Sequence, residues 1–190
     1  MPKRIFDLVG PVYDKIITGR PPASLVDLLE LSGRERVLEV GGGTGRTARA
    51  IIDHCQELWL LDPSVPMIKK VQQKLPTAKL VLGYVERMPF RDGMFDTVFA
   101  VDSLHHWDDH ARGLKEIKRV LKTSGLFMVV EFDPKTRTGY LIELMEKIFR
   151  MGSTFYSPEQ MRKLLHLSGL KTVKQEYMDQ GTYVTVATKV

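Results

Sequence analysis

Five short apolar, β-branched runs recur along the chain, and longer amphipathic segments separate them. Residues 36–40, 58–61, 78–82, 97–101 and 126–132 have the length and composition of buried strands. Between them, residues 44–53 read as a helix. Ser64 is placed to cap a second helix, which carries Met67, Val71 and Leu75 on one face. A third, over residues 109–122, aligns Leu114, Ile117 and Leu121, with Asp109 as its N-cap. Strands that alternate with helices pair in parallel and are covered on both faces. The expected fold is therefore α/β, a Rossmann-like doubly wound sheet with five parallel strands.

The tail departs from this alternation. Leu141, Met145, Ile148 and Phe149 mark one helix, and Ser157, Pro158 and Gln160 have the pattern of a capping box with proline at the first helical position. Gly169 is placed to close that second helix. Residues 171–177 and 182–188 then read as strands joined through Asp179, Gln180 and Gly181, too short a link for anything but an antiparallel hairpin. The hairpin raises the sheet to seven strands. Residues 22–31 read as a helix and residues 1–20 as an N-terminal capping segment.

With 190 residues, 43% of them hydrophobic and 27% charged, the chain has the size and composition of one folded domain. Its apolar runs fall far short of the ~18 residues a membrane span needs. Asp7 interrupts the only start of a leader-like segment, and Cys55 stands alone, so the expected location is cytoplasmic. A net charge of +5 raises the question of a nucleic-acid partner. The basic residues are scattered, however, and fit a solvated surface better than a binding stripe. The chain contains no asparagine, a depletion that points to a thermophilic origin, although its nine methionines run against it.

Residues 37–46, Val-Leu-Glu-Val-Gly-Gly-Gly-Thr-Gly-Arg, put Gly41, Gly43 and Gly45 in the turn between the first strand and the first helix. Glycines there let backbone approach a ligand, and the helix start offers unpaired N–H groups. Asp62 ends the second strand, where a carboxylate can accept hydrogen bonds from both hydroxyls of a ribose. A dinucleotide fingerprint is spaced G-x-G-x-x-G. Here the glycines are spaced G-x-G-x-G behind an acid, Glu39, and Arg46 occupies the place of the third fingerprint glycine.

This stretch, together with Asp62, Pro63, Ser64 and Met67 and the run Glu86-Arg-Met-Pro-Phe ahead of Phe95-Asp96, resembles class I S-adenosylmethionine-dependent methyltransferases. The type 11 group, similar to ubiquinone and menaquinone biosynthesis methyltransferases, is the nearest. Asp102-Ser-Leu-His-His-Trp107, residues 116–122, Phe6-Asp7 and Tyr13-Asp14 resemble that group as well. The resemblance implies S-adenosylmethionine as cofactor. It places Gly41 and Gly43 against the methionine portion, Asp62 on the ribose, Pro63 and Met67 beside the adenosine, and the Val85 backbone at the adenine. Val101 would face the methionine end, and Tyr13 would close over the site. Glu39, Gly45, Tyr84 and Glu86 complete the implied cofactor set. Tyr84 stands where the family often has an aspartate, and Lys122-Thr-Ser-Gly125 replaces its usual proline-glycine-glycine turn.

Methyl transfer from a sulfonium needs mainly alignment and exclusion of water, with a base only where the acceptor loses a proton. Asp102, His105, His106, His110 and Glu131 are candidates for that base, with His106 and Tyr13 taken as the catalytic pair. No metal is expected, because the neighbours His105, His106, Asp108, Asp109 and His110 do not have the spacing of a ligand set. The acceptor pocket is expected from residues 1–20 and from a helical insertion, residues 134–156. There Phe132, Tyr140, Leu141, Leu144, Ile148, Phe149, Phe155 and Tyr156 either line a pocket or form a core face. A small apolar or aromatic acceptor is expected. The alternatives are a cofactor-binding protein without transfer activity, an RNA methyltransferase and a nicotinamide-dependent oxidoreductase.

Overall fold

Strands buried on both faces must lie inside a covered sheet. The computed structural model describes residues 25–190, and in it β1 (Arg36–Val40), β2 (Glu57–Asp62) and β4 (Phe95–Val101) are central strands of this kind. With β3 (Lys79–Leu82), β5 (Leu121–Phe132), β6 (Leu170–Tyr177) and β7 (Thr182–Lys189) they form one sheet of order β3-β2-β1-β4-β5-β7-β6. The first five strands pair in parallel. The expected hairpin is present, and β7 inserts between β5 and β6, so β7 alone runs against the rest.

Successive side chains alternate between two cores. Leu38, Leu61 and Val98 join α4 (His110–Val120) and α6 (Pro158–Leu167) on one face. Val37, Leu60 and Phe99 join α1 (Leu25–Leu28), α2 (Arg46–Ile51) and α3 (Val65–Lys74) on the other. The remaining helix, α5 (Arg137–Ile148), buries only Gly139. The strand order reverses between β1 and β4, which opens a crevice at the carboxyl ends of the central strands.

Expected local structure is present where a single residue decides the conformation. Asp109 caps α4 by accepting the Arg112 N–H at 2.9 Å, and Gly169 has a φ of 76° just beyond α6. Both halves of the Ser157/Gln160 capping box are formed. Ser157→Ala is expected to cost about 1 kcal/mol, a fall of roughly 2–4 °C in melting midpoint for a chain of this size, measurable by calorimetry.

Several boundaries differ from expectation. The helix expected over residues 22–31 spans Leu25–Leu28 among the described residues. Ser64 precedes α3, but its side chain makes no capping hydrogen bond; the Asp62 carboxylate organises that turn instead. α2 is shorter than expected and tightens into a 3-10 turn at Ile52–His54. β5 starts at Leu121, which pairs with Phe95, and the ladder resumes at Thr97 and Leu126 after an irregularity. Ser124, at a φ of 61°, takes the left-handed position in the Lys122-Thr-Ser-Gly125 segment. Among the described residues no helix is long and apolar enough to cross a membrane.

Candidate active site

The three motif glycines at the end of β1 all have positive φ, yet their surroundings differ. A Cβ at Gly41 would lie 2.5 Å from the Ser103 Cβ, so this glycine lets the turn pass the end of β4. A Cβ on Gly45 would stand 3.2–3.3 Å from Val71 and Leu75, so this one seats α2 against α3. Only at Gly43 is there open space, with nothing within 4 Å. Asp62 fixes that open turn: its Oδ2 accepts the Gly43 N–H at 2.9 Å and its Oδ1 the Ser64 N–H at 2.8 Å.

Above this turn lies a cavity of about 830 Å³ at the carboxyl edge of the sheet. Glu39, Gly41, Gly43, Asp62, Pro63, Met67, Tyr84, Val85, Glu86 and Val101 all line it, as does His106. Gly45 does not, because its role is the helix contact already described. Tyr13 lies outside the described residues.

Glu39 sits at the base of the cavity, 2% exposed. Burial, reinforced by the negative charge of Asp62, raises its carboxyl pKa to about 8, against hydrogen bonds from the Ala48 N–H and the Thr47 side chain. Its Oε2 has no hydrogen-bond partner. An unpaired buried carboxylate oxygen, a second carboxylate at the end of the next strand and an open glycine turn suit a ligand with a cationic amine and a ribose. Asp102, in a left-handed conformation at φ 49°, stands 3.7 Å from Arg46, and burial raises its carboxyl pKa to about 6.

The segment carrying Tyr84 and Val85 is held from α4. Glu116 accepts the Met88 N–H at 2.9 Å, and Arg119 donates to the Met88 and Phe90 carbonyls. Arg112 Nε donates to the Glu86 carbonyl at 2.9 Å, and Glu86 Oε1 accepts the Asp108 N–H at 2.8 Å. Glu116 and Arg119 entered the sequence analysis only within a predicted helix and a resemblance; here they hold the Met88–Phe90 segment that follows the cavity wall. Ser103, which donates to the Val40 carbonyl at 2.9 Å, and Arg112 were not foreseen as site residues.

At the other end of the cavity the 3-10 turn Leu104–His106 brings two histidines together, with ring centroids 4.0 Å apart. His105 is buried, stacks on Phe155 and pairs with Glu131; His106 pairs with Ser153 at 2.9 Å. Glu146 of α5 reaches both histidines. No spacing in the sequence links it to them. His110 is turned away from this group toward Tyr156, and burial lowers its pKa. Tyr140, Leu141, Leu144, Ile148 and Phe149 are exposed rather than a core face, and Met151 and Gly152 carry that segment to the cavity. Cys55 lies away from the cavity, its thiol raised to about 11 by burial.

Residues 38–129, which span the glycine turn, Asp62 and β4, match the model of the methyltransferase domain family. The chain carries a class I methyltransferase domain of the type 11 group. An uncharacterized methyltransferase of Mycobacterium tuberculosis is 32% identical over 136 residues, covering 70% of this chain and 56% of the relative. A demethylmenaquinone methyltransferase of Renibacterium salmoninarum is 30% identical over 155 residues, covering 76% of this chain and 65% of its own. The chain thus spans little more than half the length of the mycobacterial protein. A solved SAM-dependent methyltransferase from Thermotoga maritima superposes with a TM-score of 0.82 at 25% identity, over 100% of both chains. The cofactor of this methyltransferase domain is S-adenosylmethionine.

Proposed function

We propose that this chain methylates a small, apolar or aromatic molecule. When bound, S-adenosylmethionine supplies a methyl group already activated on a sulfonium. The observation that carries the reading is the convergence of Glu39, Gly43 and Asp62 on one cavity. In this reading Asp62 holds the ribose hydroxyls, Glu39 takes the methionine ammonium, and Pro63 and Met67 flank the adenosine. Gly41 shapes the turn for the methionine portion, and Val101 faces it. The Val85 backbone meets the adenine, with Glu86 fixing that wall. The Tyr84 ring, half-exposed at the cavity, stacks on the adenine in place of the family's aspartate. The acceptor enters from the side of His106, Met151 and Gly152, and the exposed apolar face of α5 suits a hydrophobic molecule. The resemblance also assigns Tyr13 to a segment closing over this end. The demethylmenaquinone methyltransferase among the relatives agrees with an apolar acceptor.

Calorimetric titration with S-adenosylmethionine tests the cofactor half of this reading, and product mass after incubation with a panel of quinols and phenols tests the acceptor half. Saturable one-to-one binding is expected. Tyr84→Ala should weaken it by about fivefold or more, since one base–aromatic stack contributes about 1–3 kcal/mol. Unchanged affinity in that variant would remove the stacking assignment.

A further inference from the structure

His105 Nδ1 is 2.5 Å from Glu131 Oε2, with both residues buried. If that nitrogen carries the proton, the lone pair of Nε2 points away from Glu131, and Nε2 stands 3.6 Å from Glu146 Oε1. His106 Nε2 is 3.9 Å from the same oxygen, while its Nδ1 is paired with Ser153 Oγ. One atom from each of His105, His106 and Glu146 lies within 4.8 Å of the others. In the tautomers with both Nδ1 atoms protonated toward their oxygen partners, it is the Nε2 lone pairs that stand beside the Glu146 carboxylate. Glu146 Oε2 is also buried without a hydrogen-bond partner. Two imidazole nitrogens and a carboxylate oxygen drawn together beside an unpartnered buried oxygen match the donor set of a divalent cation.

We propose that His105, His106 and Glu146 form a binding site for a zinc-class divalent cation, its open position against the cavity wall. Ligands about 2.0–2.1 Å from such an ion stand roughly 3.3 Å apart in a tetrahedron, so the 3.6 and 3.9 Å separations from Glu146 would shorten by about 0.3 and 0.6 Å on binding, with all three ligand atoms already within 4.8 Å of one another. Glu131 holds His105 in the way carboxylates orient metal-binding histidines, and Ser153 does the same for His106. A divalent charge also balances the two carboxylates. Two imidazoles and a carboxylate leave a position for an exogenous ligand, and His106 places it at the acceptor end of the cavity. The role of that position rests on the methyl-transfer reading: it takes an acceptor oxygen, as in a phenol or enol, and lowers its pKa. His106 then serves as a ligand rather than as a general base.

The test uses the full chain without an affinity tag, stripped with a chelator and titrated with Co²⁺ in the absence of cofactor and acceptor. Ligand-field absorption saturating at one metal per chain and bleached by Zn²⁺ is the expected result. His106→Ala and Glu146→Gln, both at partly exposed positions, should each weaken binding at least about tenfold with little change in melting midpoint. No ligand-field bands, or bands that survive both substitutions, would overturn the site. This readout involves no methyl transfer, so its failure leaves the proposed function standing, and a failed acceptor screen leaves the metal site standing.

Discussion

Asp62→Ala is expected to reduce S-adenosylmethionine affinity at least a hundredfold, on the scale of about 1.4 kcal/mol per tenfold change. The Asp62 carboxylate already accepts two backbone N–H groups, from Gly43 and Ser64. In the proposed reading the same two oxygens accept the ribose hydroxyls. Hydrogen bonds to a charged group are worth roughly 1.5–3 kcal/mol each, so losing two of them accounts for the effect before the turn itself relaxes. Asp62→Asn separates charge from shape. Whichever way its amide is turned, the NH₂ group faces a backbone N–H donor, so this nearly isosteric change should fare little better than alanine. Calorimetry on variants with native far-UV circular dichroism provides the measurement. Binding by Asp62→Asn close to wild type would mean that the carboxylate neither orders the turn nor carries the ribose.

The sequence made the parallel sheet legible because each strand has its own apolar run, and the glycine turn because positive φ leaves glycine as the cheapest residue. Asp109, Ser157 and Gly169 were equally readable, since capping chemistry is decided within a few residues. The starting point of β5 was not. Its extension over residues 121–125 carries exposed, polar side chains at Lys122, Thr123 and Ser124 and is defined by the pairing of Leu121 with Phe95 of β4, a non-local contact that no local pattern records. The two ends of the cavity differ in the same way. Asp62 could be placed because it ends a strand, where the fold determines direction, and Glu39 and Val85 through the resemblance, at positions near the ends of β1 and β3. The meeting of Glu146 with His105 and His106 depends on how α5 packs beneath the turn after β4, and nothing in the spacing of those residues signals it.

Glu39→Gln is expected to act in opposite directions on stability and binding, and pH separates the two. Burial first, and the Asp62 charge second, raise the Glu39 pKa to about 8 in the folded chain, against an ordinary value of 4.5. Folding therefore favours the protonated form. Stability from this residue is fully present below the unfolded pKa, declines as pH rises above it, and is lost once pH passes about 8. Each unit of the shift is worth about 1.4 kcal/mol, so by pH 9 the cofactor-free protein bears a cost of the order of a few kcal/mol. Glutamine carries no such charge. The melting midpoint of Glu39→Gln should match wild type near pH 5 and exceed it progressively toward pH 9. Cofactor binding should move the other way, because an ammonium beside Oε2 stabilises the carboxylate and drives its proton off. Wild-type binding near pH 7 should accordingly release a proton, seen as a dependence of the calorimetric enthalpy on buffer ionisation heat, and the variant should bind more weakly without that release. A stability difference constant from pH 5 to 9 would mean that Glu39 titrates normally. A variant that binds as tightly as wild type would leave the methionine ammonium without its partner.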